Sequence, residues 1–149
     1  MGLTVADFLP YLELPSPGGG RVALRHGGRH ATAVVVVHDA TCDACRRYVA
    51  QVGAAADDLA AWDGRVVVLV PGSLGDAAAF TSALELAPAV KVVATDADDA
   101  AALVEGAGVL IADRYGHVYD VTTAGNGHSL PAPRELEEWL KFLATQCPE

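Results

Sequence analysis

Basic residues are scarce in this chain. Ten of the 149 residues are lysine or arginine against nineteen aspartates and glutamates, which gives a formal net charge of −9 at pH 7. Such a chain is repelled by nucleic-acid phosphate and by anionic lipid, so we expect neither nucleic acid nor membrane as a partner. The sequence also lacks an apolar run near the roughly 20 residues of a membrane helix. Its first residues lack the basic and apolar regions of a secretory signal, and we expect a cytoplasmic protein.

The composition is that of a folded globular chain. Hydrophobic residues make up 52% of the sequence and charged residues only 19%, which argues against disorder. No linker or internal repeat divides the chain. We therefore expect one domain spanning residues 1–149, a length that suffices to bury a core.

Short β-branched runs alternate with segments of helical periodicity. After a loop-like stretch up to residue 20, the pattern predicts strands at 21–25, 33–38, 65–70, 90–94, 108–112 and 117–121, and helices at 42–61, 76–86, 96–104 and 133–144. This order predicts an α/β fold with a mainly parallel sheet covered by helices on both faces. The last two strands are predicted to form a hairpin that adds an antiparallel edge.

Cysteine is rare, and two of the three cysteines form one motif. Cys42 and Cys45 are separated by two residues, directly after a predicted buried strand and at the start of a predicted helix. This spacing brings two sulfurs together, and a helix N-terminus favours a thiolate at the first of them. Cys42 is the candidate nucleophile and Cys45 the candidate resolving thiol in a disulfide exchange that needs no bound cofactor. Cys147, near the C-terminus, is expected to be an unremarkable exposed thiol.

Polar residues before the motif are further candidates for the site. Asp39 or Thr41 is positioned to cap the helix, and His38 follows the strand closely enough to polarise the Cys42 thiol. The strand itself contains no acidic residue. A proton acceptor would therefore have to be His38, Asp39 or water.

Two other interpretations of the cysteine pair stay open. A zinc site needs four ligands, and the five histidines (His26, His30, His38, His117 and His128) show no ligand spacing relative to the cysteines. The pair could alternatively pack in the core as small apolar residues.

The arrangement of these segments resembles thioredoxin-fold redoxins, the broad group that includes the alkyl hydroperoxide reductase/thiol-specific antioxidant superfamily and related thiol-disulfide reductases. Val34–Arg46 is similar to their active-site stretch, and Thr95–Val118 to their acidic segment, helix and terminal hairpin. Phe8-Leu9 with Arg21–Leu24 resembles their N-terminal hairpin, which extends the fold at this end. Val90–Val104 resembles the strand and helix that the group inserts into the minimal thioredoxin order.

The resemblance implies a central mixed sheet and thiol-disulfide oxidoreductase activity, with disulfide-containing proteins or small thiols as substrates and an external reductant. Some positions depart from the group's patterns. Thr41 stands where thioredoxins carry tryptophan, and Gly106–Val109 lacks the proline that precedes their hairpin strand. Asp39 stands where peroxiredoxins carry threonine, and Arg114, in the predicted hairpin turn, is no clear counterpart of their peroxide-activating arginine. A peroxiredoxin-like thiol peroxidase and a thioredoxin-fold interaction module without catalysis are the two alternatives.

Overall fold

A five-stranded sheet and a short hairpin form the framework of the computed structural model, which describes residues 2–25, 30–82, 84–124 and 130–145. The strands are β1 (Glu13–Pro15), β2 (Arg21–Ala23), β3 (Thr32–Val36), β4 (Arg65–Pro71), β5 (Val90–Thr95), β6 (Gly108–Ala112) and β7 (Val118–Thr123). The helices are α1 (Asp43–Ala54), α2 (Ala56–Ala60), α3 (Leu74–Thr81), α4 (Ala97–Leu103) and α5 (Pro133–Ala144). No helix of these ranges is both long and apolar enough to cross a membrane.

The large sheet has the order β5-β4-β3-β6-β7 and is mixed rather than mainly parallel as predicted, because β6 and β7 both pair in antiparallel orientation. Strand β3 pairs with β4 in parallel and with β6 in antiparallel orientation. In the β6–β7 hairpin, β6 is therefore an interior strand of the sheet and β7 is an edge strand. Its register pairs Gly108 with Val36 and Ala112 with Thr32, so the start of β6 lies at the same edge of the sheet as the end of β3.

Both faces of the sheet are buried, which explains the continuous β-branched runs. Alternate residues of β3 point to opposite faces, with Val35 in one core and Val34 in the other. The first core is covered by α1, α2, α3 and α5, and the second by α4 and the N-terminal segment around Leu9 and Leu14. The expected α/β fold with helices on both faces is confirmed.

Several predicted boundaries were wrong for local reasons. The helix predicted over 42–61 is broken at Ala55 into α1 and α2. Helix α3 starts earlier than predicted because the Ser73 side chain accepts from the Asp76 backbone N–H while the Asp76 carboxylate accepts from that of Ser73, a capping box. It also ends earlier, at Thr81.

The N-terminal segment differs from both predictions made for it. Residues 13–15 form a strand rather than a loop, and Phe8-Leu9 does not form a hairpin with Arg21–Leu24. Strand β2 pairs with β1, and Phe8 forms an isolated bridge with His117. The guanidinium group of Arg25 stacks on the Phe8 and Tyr11 rings, with its carbon 4.8 and 4.2 Å from their centroids. The residues before β1 are therefore held in place by contacts with residues that are distant in the sequence. No local sequence pattern predicts such contacts.

Candidate active site

The candidate site lies where the chain leaves β3 and enters α1. Residues 37–42 form the connection, and Val37 still continues the sheet by donating its N–H to Leu69 O at 3.1 Å. The turn that follows carries His38, Asp39 and Thr41. The Cys-x-x-Cys therefore lies beyond the carboxyl end of β3, which pairs with β4 in parallel.

Cys42 is the N-cap residue of α1. Its backbone is extended (φ −70°, ψ 109°), and its Sγ accepts from the Cys45 backbone N–H at 3.3 Å. The expectation that Asp39 or Thr41 caps the helix was wrong, because the chain turns into the helix at Cys42 itself. A thiolate on Cys42 would take the place of a capping oxygen at the positive end of the helix.

Cys45 lies beneath Cys42 and is 1% exposed. Its Sγ accepts from the His38 backbone N–H at 3.2 Å. Burial raises the pKa of the Cys45 thiol to about 12, and a hydrogen bond with Cys42 acts in the same direction. Both cysteines are thiols in this structure. The partly buried Cys42 and the buried, protonated Cys45 are thus two unequal thiols in one motif.

Asp39 organises the turn before Cys42. Its Oδ1 accepts from both the backbone N–H and the hydroxyl of Thr41, each at 2.8 Å. These hydrogen bonds lower the pKa of the Asp39 carboxyl group, and the neighbouring His38 ring adds to the effect. The Nδ1 of His38 lies 3.3 Å from Asp39 Oδ2, and both side chains are about half exposed. The structure thus brings all five predicted site residues together.

Arg46 holds the same turn from the other side. Its Nη2 donates to Ala40 O at 3.1 Å, its Nη1 lies 3.4 Å from Asp43 Oδ1, and its guanidinium group packs over the Phe80 ring. In the sequence, Arg46 is marked only as a basic residue directly after Cys45. Its contact with the Ala40 carbonyl depends on how the turn folds back onto α1, and no sequence pattern marks it.

Arg114 lies far from the cysteines. It lies in the hairpin turn after β6, two residues beyond Ala112, which pairs with Thr32 at the start of β3. The cysteine motif follows the end of β3, so the turn with Arg114 and the motif are at opposite edges of the sheet. Arg114 is exposed and stacks on Tyr115.

Within the described ranges, no group of three or more histidine, cysteine, aspartate or glutamate side chains could hold a metal ion. Cys147, His26 and His128 lie outside the described residues. The prediction for Cys147 therefore stays a prediction.

Cys42 and Cys45 are expected to differ strongly in their rates of reaction with iodoacetamide. At pH 8, a pKa raised from 9.0 to about 12 makes the Cys45 thiolate roughly a thousandfold scarcer than that of an ordinary cysteine. Tandem mass spectrometry after brief alkylation should therefore find Cys42 modified and Cys45 intact, with Cys45 labelling rising toward pH 12. In 6 M guanidinium chloride, as the control, both should react. Equal labelling in the folded protein at pH 8 would contradict the unequal pair.

The fold is shared by solved redoxin structures. A peroxiredoxin-like protein from Aquifex aeolicus superposes with a TM-score of 0.79 at 15% identity, covering 96% of this chain and 89% of that one. A protein described as the thiol:disulfide interchange protein DsbE from Chlorobium tepidum gives 0.75 at 19% identity, covering 96% and 99%. Mycobacterium tuberculosis AhpC also gives 0.75, at 15% identity over 97% and 95%.

No protein-family model and no curated protein matches the sequence. The structural likeness shows that the chain has the thioredoxin-like fold of redoxins, as the sequence resemblance predicted.

Proposed function

We propose that this protein is a thiol-disulfide oxidoreductase in which Cys42 is the nucleophile and Cys45 the resolving thiol. The observation that carries the proposal is the inequality of the pair. Cys42 is partly exposed at a helix N-cap, while Cys45 is buried one turn below it as a thiol. The likeness to DsbE of Chlorobium tepidum supports this type of exchange for the scaffold.

The first step uses the position of Cys42. Its thiolate, which would accept the Cys45 backbone N–H, attacks one sulfur of a substrate disulfide. The substrate S–S bond breaks, the second substrate sulfur leaves as a thiolate and takes up a proton, and a mixed disulfide joins Cys42 to the substrate. The substrate is a disulfide-containing protein or a small disulfide.

The second step uses Cys45. Cys45 first loses its proton to water, and its sulfur then attacks Cys42 Sγ. The S–S bond between Cys42 and the substrate breaks, and the substrate sulfur held in that bond leaves as a thiolate and takes up a proton. The His38 backbone N–H, which donates to Cys45 Sγ at 3.2 Å, stabilises the charge that develops there. The protein ends with a Cys42–Cys45 disulfide, and an external dithiol reductant returns it to the starting state. We place the reaction in the cytoplasm, where thiols are kept reduced.

Peroxide reduction is the second candidate function, favoured by the likeness to the peroxiredoxin-like protein of Aquifex aeolicus. On that route the Cys42 thiolate would break the O–O bond of a hydroperoxide, forming a sulfenic acid and releasing water or an alcohol. Cys45 would then displace water to form the same disulfide. The position of Arg114 at the other edge of the sheet argues for disulfide exchange as the first choice.

A redox titration tests the proposal. A Cys147→Ser variant is equilibrated in buffers of reduced and oxidised dithiothreitol, alkylated, and weighed by mass spectrometry. We expect the protein to carry two alkyl labels in reducing buffers and none in oxidising buffers, where Cys42 and Cys45 form an intramolecular disulfide. The change should be reversible. If no Cys42–Cys45 disulfide forms at any ratio, the exchange function is wrong and the chain is a non-catalytic module. Stoichiometric consumption of hydrogen peroxide by the reduced protein, faster than disulfide reduction, would favour the peroxidase.

A further inference from the structure

The Asp39 carboxylate is built into the turn that delivers Cys42. Its Oδ1 receives two hydrogen bonds from Thr41, and its backbone carbonyl accepts the Cys42 N–H at 3.4 Å. Side-chain and backbone groups of one residue thus fix the three residues that follow it. An aspartate at this point holds the turn in place from its first residue.

The same carboxylate places a negative charge on the segment that contacts the buried thiol. Cys45 Sγ accepts the backbone N–H of His38, and Asp39 is the next residue of that strand-end segment. Burial is the main cause of the raised pKa of Cys45, and the hydrogen bond with Cys42 is the next. The charges of Cys42 and then of Asp39 make smaller contributions in the same direction. Other ionisable groups near it include the His38 ring, 3.3 Å from the carboxylate, and the paired Asp43 and Arg46 of α1.

We propose that Asp39 is a positioning residue that also acts as an electrostatic brake on the second step: it orders the turn for Cys42 and opposes the attack by Cys45. The inference rests on the proposed exchange function. Once Cys42 is in a mixed disulfide it carries no charge, so the remaining requirement is that Cys45 lose its proton. A fixed negative charge nearby makes that loss harder and lengthens the life of the mixed disulfide.

A carboxylate beside a resolving thiol has another conceivable role, as the base that takes its proton. The geometry disfavours this role for Asp39. One of its oxygens is occupied by two donors and the other faces His38, and its pKa is lowered, which makes it a weak proton acceptor. The brake and the base predict opposite effects of removing the charge, so one variant separates them.

The experiment follows both steps with 5,5′-dithiobis(2-nitrobenzoate) in the Cys147→Ser background. Attack by Cys42 releases one nitrothiobenzoate, and attack by Cys45 on Cys42 Sγ releases the second, so stopped-flow absorbance gives both rates. Asp39→Asn keeps an oxygen for the Thr41 donors and removes the charge. We expect the second phase at pH 7 to accelerate roughly two- to fivefold, the size of a partly screened charge effect, and its pH profile to move to lower pH.

Asp113→Asn is the matched control. Asp113 closes a similar turn by accepting the N–H groups of Tyr115 and His117 at 2.9 and 3.0 Å, but it lies at the opposite edge of the sheet. The Asp113→Asn substitution changes the net charge by the same amount as Asp39→Asn. It should leave the rate of the second phase and its pH profile unchanged.

Four outcomes are decisive. A faster second phase with a shifted pH profile in Asp39→Asn alone supports the brake. A slower second phase would make Asp39 the base, and an unmoved pH profile would make it a turn residue only, and either result overturns the proposal. Absence of a second phase in the parent protein would instead refute the exchange function itself, so the two failures are distinguishable.

Discussion

Replacing Cys42 by serine is expected to lower disulfide reduction by three orders of magnitude or more. A hydroxyl group at the N-cap of α1 can still accept the Cys45 N–H, so the helix start should survive. What is lost is the thiolate, the species that attacks a disulfide sulfur. Cys45, 1% exposed and protonated at neutral pH, is badly placed to replace it. The measurement is reduction of a protein disulfide by catalytic amounts of the variant with dithiothreitol as reductant.

Cys45→Ser is the companion variant, and its expected result is different in kind. Cys42 should still attack, but the mixed disulfide should persist because the resolving thiol is missing. Intact-mass spectrometry after incubation with oxidised glutathione should show one glutathione bound to Cys45→Ser and none to Cys42→Ser, both in the Cys147→Ser background. Adduct formation only in Cys42→Ser would reverse the two roles. Unreactive thiols in both variants and in the parent would favour the non-catalytic module.

Replacing Arg65 by methionine is expected to lower the free energy of unfolding by roughly 2–4 kcal/mol, since it removes donors from buried acceptors. Arg65 begins β4 and is 7% exposed. Its Nε donates to Thr32 Oγ1 at 3.0 Å, and its Nη2 donates to the carbonyls of Leu24, at 2.9 Å, and Ala23. It therefore fastens the β1–β2 hairpin to the large sheet. Urea unfolding followed by circular dichroism gives the change.

Burial lowers the pKa of Arg65 to about 10, which leaves the guanidinium group charged at neutral pH. Its charge is thus costly to bury, and the three acceptors offset that cost. A folded pKa below the unfolded value means that this cost is present at neutral pH and fades only as the pH rises from about 10 toward 12.5.

Arg134→Met is the control for Arg65. Arg134 is 87% exposed and pairs with Glu138 at 3.6 Å across one helical turn, an ion pair of little expected value. We expect a change within about 0.5 kcal/mol. Because Arg65 pairs with Thr32 at the end of the sheet away from the cysteines, Arg65→Met should keep its thiol chemistry at temperatures where it is folded. A stability change as small as that of Arg134→Met would contradict the anchoring role.

The strongest sequence signals were those that a single segment carries. Strand β6 and helix α5 have the predicted bounds, because a continuous apolar run and an amphipathic stripe are properties of the local sequence. The pairing of the N-terminal hairpin was predicted wrongly. Strand β1, which pairs with β2, is only three residues long and contains a proline, so its sequence does not mark it as a strand. The capping of α3 by Ser73 could have been read from the Ser73 and Asp76 spacing.

By itself the sequence determined that the chain forms a layered α/β fold and that a cysteine pair opens a helix after a buried strand. Residue type and spacing are enough for both, because periodicity reports burial and two sulfurs three positions apart meet at a helix start. Only the tertiary structure decided which group caps α1, how deeply Cys45 is buried, and that Asp39 and Arg46 hold the turn between them. These properties depend on distances between segments and on the exclusion of water, and both exist only once the sheet and its helices have packed together.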